Sequence, residues 1–528
     1  MVLQREPSRA VIWGYGDVGA NVTVSVYPSE KGKVYQSIVQ TGPAGKGVWK
    51  VTLDAMPAGG PHTVEAVQTA AGQRLSLVLK DVLFGDVWLC SGQSNMVFTM
   101  KYTTNASAEI ARAADYPHIR LFTADLVRSD SPLYDLQSIL QPWAVASPAK
   151  ANTRVQNKLN KTPSVPESIS GPSNATFNRG YFSAVCWFFG RDLYDNITVP
   201  IGLVVSAYGG TCVEAWSPPE VIKTCNITSD INRVDKAINK PPASHLGIGE
   251  DSWEADVIDI TNHPRLHNSA LWNAMIHPIL NMTLKGVIWY QGEANAVYNE
   301  TDVYGCLFTN MISTWRSGFH LGSGRQTESV FPFGFVQLSV SSTEDFPELR
   351  WSQTNGYGSA PNPDMPRVFM AVAMDLERSH AAGVHPRDKQ DVGSRLLLGA
   401  RAVAYGEDVV FQGPLPTAVK VSSSANTMDV LYNMTMGGTL RLEVRNPDGF
   451  EICCSSQENS CEPTSSTWMP AKIIGHTEST VTVSTSTCAK HVTSWRYEWA
   501  PTPCLFKQCA IYCQETQLPA PPFKGKVS

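Results

Sequence analysis

No apolar stretch in this 528-residue chain reaches the roughly 18 residues that a membrane-crossing helix needs, and no internal repeat breaks it into copies of one unit. Charge is sparse: 17% of residues are charged, the net charge is -5, and there is no long Lys/Arg run. No general field therefore draws the chain to nucleic acid or an anionic membrane, and a nucleic-acid partner is not expected. The start, Met1-Val2-Leu3-Gln4-Arg5-Glu6-Pro7, lacks the long hydrophobic segment of a signal peptide. Taken alone, that absence points to the cytosol.

Two features present in the chain point to the secretory route instead. Asn-x-Ser/Thr tripeptides fall at Asn21, Asn105, Asn160, Asn174, Asn196, Asn226, Asn281, Asn299 and Asn433. Seven of the twelve cysteines (Cys453, Cys454, Cys461, Cys488, Cys504, Cys509 and Cys513) crowd into the last quarter. That density predicts disulfides in an oxidising compartment, with a pairing the sequence does not give. The spacings of Cys504, Cys509 and Cys513 fit no zinc ribbon, and neither a metal nor a cofactor is expected. The expected location is lysosomal or secreted, with a cytosolic form as the alternative.

At 43% hydrophobic residues the chain buries an ample core, and its length suits two to four domains. Residues 1–81 read as a β-domain, since Asn21-Val22-Thr23-Val24-Ser25-Val26-Tyr27 alternates polar and apolar between Gly/Pro clusters. From 82 to 405 the pattern changes to short, continuous apolar runs at 86–90, 200–206, 286–290, 333–338 and 368–373. Such runs suit parallel strands buried on both faces. Helical periodicity fits between them, at 269–280 and at 388–405 after Pro386, which predicts an α/β domain. Polar, irregular stretches near 101–180 and 225–268 read as insertions beside the site. Alternation returns at 418–421, 439–444 and 480–483, predicting a Cys-rich β-domain over 406–528.

The chemistry-bearing residues sit at the carboxyl ends of the predicted strands, where open α/β sheets bind ligands. Ser91-Gly92-Gln93-Ser94-Asn95-Met96 places Ser94 after the first strand as a candidate nucleophile. A serine hydroxyl needs a base and donors for the oxyanion. His385 is the best-placed base of the eleven histidines, in a loop after the strand at 368–373 and just before a helix. His277, on an apolar helix, reads as a satisfied core histidine. Gly209-Gly210-Thr211 offers a backbone donor at Gly210, and Gln291-Gly292-Glu293-Ala294-Asn295 offers the amides of Gln291 and Asn295.

In four ordered blocks, Gly92-Gln93-Ser94-Asn95-Met96, Gly209-Gly210-Thr211, Trp289-Tyr290-Gln291-Gly292-Glu293 and His385-Pro386-Arg387-Asp388-Lys389-Gln390, the chain resembles the SGNH hydrolases, and closely the sialate O-acetylesterase family. The likeness runs from Val2-Leu3-Gln4 to Leu518-Pro519-Ala520-Pro521-Pro522-Phe523. It implies a three-layer α/β/α hydrolase domain with flanking β-sandwich-like domains. It also implies release of acetate from O-acetylated sialic acids and sialoglycans, chiefly at the glycerol side chain, through an acyl-enzyme on Ser94 with His385 as general base. Many SGNH enzymes carry an Asp three residues before that histidine, and here the position is Ala382. The acid is then Asp375, the preferred choice, or Glu293, or is absent in a Ser-His dyad. Arg265, Arg350 and Arg387 are candidates for the substrate carboxylate. The alternatives are an acetylesterase of another O-acetylated polysaccharide and an inactive glycan-binding relative.

Overall fold

The computed structural model describes residues 1–28, 33–70, 72–152, 182–227, 267–343, 345–378, 383–434, 440–455, 461 and 467–527. The chain forms a mixed α/β structure of two compact units interleaved along the sequence. One comprises 1–211, 228–285 and 317–329; the other comprises 212–227, 286–316 and 330–528. Most of the insertion expected near 225–268, the sequons at Asn160 and Asn174, Arg265 and Ala382 lie outside the described residues.

In the first unit, Gln73–Gly92 is one long strand that runs unbroken through residue 81. Its first part is exposed and pairs antiparallel with Gly59–Ala70, which in turn pairs with Asn21–Tyr27. The alternation read at 21–27 is realised, with Val22, Val24 and Val26 buried. They join Trp49 and Val51 from a second, three-stranded sheet, and Leu53 just after it, in one apolar core. The second part of the long strand is buried throughout and pairs in parallel with Ile201–Ala207, which pairs in parallel with Ile119–Ala124. An antiparallel edge strand, Ile139–Val145, completes this order.

Those last two strands lie within the stretch read as an insertion. Arg120 interrupts the apolar run of the first, yet its side chain is buried and paired with Asp81 at 2.8 Å. The charge pattern therefore hid a core strand. The helix expected over 269–280 is also irregular: Trp272–Ile276 winds as a wide, π-type turn and His277–Ile279 as a 3-10 turn. Pro278 supplies the reason, because it has no N–H to continue an α-helical ladder. His277 is half-buried and its Nδ1 donates to the Leu133 carbonyl at 2.7 Å, so it is satisfied as expected.

In the second unit, Gly286–Tyr290, Phe333–Gln337 and Val368–Val372 are parallel neighbours, each buried along its whole length. Phe308 on the helix Thr301–Gly322 packs edge-on against Phe333 and Phe335. The helix Lys389–Tyr405 lies so close to Phe369 that a Cβ on Gly399 would meet its ring at 2.4 Å. Beyond it stand antiparallel sheets containing Leu415–Ser422, Leu442–Val444 and Thr480–Ser484, the three strands expected there.

Five disulfides are present among the described residues: Cys90–Cys186, Cys225–Cys306, Cys453–Cys461, Cys454–Cys488 and Cys504–Cys509; Cys212 and Cys513 belong to none of these bridges. Of the seven described sequon asparagines, six are exposed and Asn281 is half-buried, its Oδ1 accepting from Lys50 Nζ. No helix among the described residues is long and apolar enough to cross a membrane.

Candidate active site

Ser94 opens a one-turn helix, Ser94–Val97, directly after the long strand ends at Gly92. The turn demands glycine, since Gly92 sits at φ 137°, a region that L side chains rarely adopt. The serine is 2% exposed, and Gln93 Nε2 donates to its Oγ at 3.4 Å. Three ties fix the turn from behind. The Cys90–Cys186 disulfide joins the strand to the helix Ala184–Ile197. Ala184 N donates to Phe98 O at 2.8 Å, and Ser183 Oγ contacts Met96 Sδ at 3.5 Å while capping that helix through Cys186 N.

The glycine block belongs to the same unit and is stitched to this turn. Ile201–Ala207 runs beside the nucleophile strand with Ala207 opposite Gly92, and Tyr208 N donates to Gly92 O at 3.0 Å. Thr211 Oγ1 then donates back to Tyr208 O at 2.8 Å. Gly210, at φ 71°, is exposed at the tip of the turn. The structure thus brings together Ser94 and the Gly209-Gly210 turn.

In the second unit, the strand Gly286–Tyr290 ends at Gln291, and Gly292 (φ 141°) leads into the short helix Glu293–Val297. A side chain at Gly292 would also collide with Leu349 at 2.6 Å. The two amides meet across the turn at Gly292: Gln291 Nε2 donates to Asn295 Oδ1 at 2.8 Å. Asn295 Oδ1 also accepts from Val213 N, and its Nδ2 donates to Glu214 Oε2 at 2.8 Å. Tyr304 OH donates to Gln291 Oε1 at 2.9 Å. Both amides are completely buried in this network, which fixes their orientation.

His385 is 4% exposed and precedes the helix Lys389–Tyr405, whose cap is Asp388 accepting from Asp391 N at 3.2 Å. Pro386 therefore stands ahead of the cap rather than in the first helical turn, and restricts the loop there. Burial, and then the charge of Lys389, holds the imidazole well below its ordinary value, so that it is neutral and able to accept a proton.

Asp375 is fully buried, and Arg395 clamps it through both nitrogens, Nη1 to Oδ1 at 2.6 Å and Nη2 to Oδ2 at 2.9 Å. Tyr512 OH donates to Oδ2 at 2.9 Å. The described hydrogen bonds of this carboxylate go to these two residues, which gives Asp375 a structural task joining the strand end to the last quarter of the chain.

Arg350 is fully buried and donates to the carbonyls of Leu338, Ser339, Ala500 and Pro501. Its guanidinium is consumed by the main chain, which removes it from the candidates for a substrate carboxylate. Arg387 is exposed, two residues from His385.

Sequence reasoning missed Lys389, Glu377, Tyr290 and Glu214. Lys389 is completely buried, with Nζ 5.2 Å from the Tyr290 ring centroid. Burial pushes its ammonium down to about 7, against the charges of Glu293, Glu377 and Asp388, which favour the protonated form. One signal was available: a lysine at the first position of a helix opposes the helix dipole.

A family model described as the sialate O-acetylesterase C-terminal domain matches residues 417–527. The sialate O-acetylesterase of Rattus norvegicus is 43% identical over 100% of this chain and 93% of its own length. That of Homo sapiens is 41% identical over 99% of this chain and 90% of its own. Among solved structures, one described as a novel carbohydrate acetylesterase from Xanthomonas citri superposes with a TM-score of 0.72 at 27% identity, covering 99% of this chain and 96% of that one. On identity sustained across its whole length, the chain belongs to the sialate O-acetylesterase family.

Proposed function

We propose that this protein is a serine esterase that removes O-acetyl groups, chiefly 9-O-acetyl, from sialic acids and releases acetate. Full-length identity to enzymes named for that reaction is the observation that carries the reading. The acyl-enzyme route is supported by a serine at the head of a strand-to-helix turn and by a buried histidine held in its neutral form. The organisation that goes with it is an SGNH-type α/β/α domain over 82–405, flanked by sandwich-like β-domains at 1–81 and 406–528. A lysosomal or secreted location with glycans on exposed sequons accords with the disulfides.

In this mechanism Ser94 Oγ attacks the acetyl carbonyl as His385 takes its proton. The oxyanion is held by the backbone N–H groups of Ser94 and Gly210 and by an amide, Gln291 in preference to Asn295. Collapse of the tetrahedral intermediate breaks the ester bond, and His385 protonates the departing sugar hydroxyl. A water, deprotonated by His385, then attacks acetyl-Ser94 and frees acetate. Asp375 remains a proposal as the acid partner beside its Arg395 pair, with a Ser94-His385 dyad as the other arrangement. Arg387 reads the sialate carboxylate.

The test is acetate release from 9-O-acetylated sialic acid by the wild-type protein and by Ser94→Ala. Release that depends on Ser94 supports the reading. Release by wild type only from neutral O-acetylated polysaccharides would move the substrate class, and none from any ester would favour a glycan-binding role.

A further inference from the structure

A buried lysine beside a buried histidine is an expensive arrangement unless it does something. Lys389 has no exposure to water, begins a helix whose dipole repels it, and faces the Tyr290 ring at 5.2 Å. The charged groups that face it come from two other places in the second unit as well as its own cap. They are Glu293 at the start of the helix after Gly286–Tyr290, Glu377 in the loop after Val368–Val372, and Asp388, the helix cap. Glu293 and Glu377 are themselves 3% and 7% exposed. Their charges also fall on Tyr290, whose hydroxyl burial drives well above the ordinary range. A cation and two carboxylates are thus shut away together around an aromatic ring, four residues from His385.

We propose that Lys389 is a positioning residue for the esterase reaction: its ammonium, seated over Tyr290 and balanced by Glu293 and Glu377, opposes protonation of His385 and keeps that base working in acid. The inference rests on the reading of His385 as general base. As pH falls, Lys389 and His385 compete for a proton in one buried region, and the carboxylates award it to Lys389. The ammonium so formed then repels a second proton from the imidazole. Removing the lysine raises the proton affinity of His385, so the acid limb of kcat/KM moves to higher pH. Turnover is then lost first where the pH is lowest.

The experiment compares the pH dependence of kcat/KM for wild type, Lys389→Met, Lys389→Gln and Lys389→Arg, each checked for an unchanged thermal melt. It is paired with titration of the His385 ring by NMR of histidine-labelled protein, its signal assigned with His385→Gln. The neutral variants should shift the acid limb and the His385 midpoint together, upward by about one pH unit or more, while turnover on the alkaline side of the limb changes far less. Lys389→Arg, which keeps the charge, should restore both. In wild type the ring should stay neutral through the range in which exposed histidines titrate. A folded neutral variant with neither shift, or a wild-type His385 titrating near 6.5, would overturn the proposal; the second outcome needs no lysine variant to fold. Full turnover in His385→Gln would instead overturn the role of the base, and the titration arm would still decide whether Lys389 controls that ring.

Discussion

The Ser94 turn and the His385 loop are anchored by opposite means. Around Ser94 the ties are covalent and main-chain: a disulfide at Cys90, a glycine at φ 137°, and backbone bonds at Gly92 and Phe98. Around His385 they are ionic: Lys389 with Glu293, Glu377 and Asp388, and Asp375 with Arg395. A nucleophile needs its oxygen at one place, which backbone geometry supplies. A base must also be in one protonation state, and only neighbouring charges and burial set that.

The sharpest way to break this comparison is to remove the reacting groups themselves. Ser94→Ala and His385→Gln should each lower turnover by about 10⁴-fold or more, with little further loss in the double variant, because residues that act as one unit are not additive. Additive losses in steady-state kinetics would separate the two sites.

Charges and cross-links should differ next in stability. Arg395→Met leaves Asp375 buried without its cation and should cost about 3–5 kcal/mol in denaturant unfolding. Asp375→Asn sharpens the point: as an acid partner it should cut kcat severely in a protein that melts normally, whereas a structural pair should lose stability and turnover together. Replacing Cys90 and Cys186 by serine opens a loop of 96 residues and should cost about 2–4 kcal/mol. In the folded fraction, the acid limb of that variant should stay where it is, since no charge has changed. The smallest effect is expected at Arg387→Ala, roughly a tenfold rise in KM for an O-acetylated sialic acid with no change for p-nitrophenyl acetate. An equal loss on both esters would remove Arg387 from substrate recognition.

What the sequence made legible follows the same division. The turn at Ser94 could be read because its causes are local: an apolar strand, a glycine and a serine in consecutive positions. The five strands read between 86 and 373 were visible as unbroken apolar runs for the same reason. Ile119–Ala124 escaped because Arg120 is neutralised by Asp81, 39 positions away. Lys389 and Glu377 escaped likewise, since a buried charge looks like a surface charge until its distant partners are known. Arg350 stood among three candidate substrate ligands on the same ground, for its acceptors at Ala500 and Pro501 are about a quarter of the chain away.

Labelling with a fluorophosphonate, followed by digestion and mass spectrometry, tests the role of Ser94 most directly. The expected result is one adduct, on the peptide containing Ser94, whose accumulation parallels the loss of acetate release and which is absent from Ser94→Ala. An adduct on another residue that tracks inactivation, or full acetate release from protein modified at Ser94, would contradict the assignment.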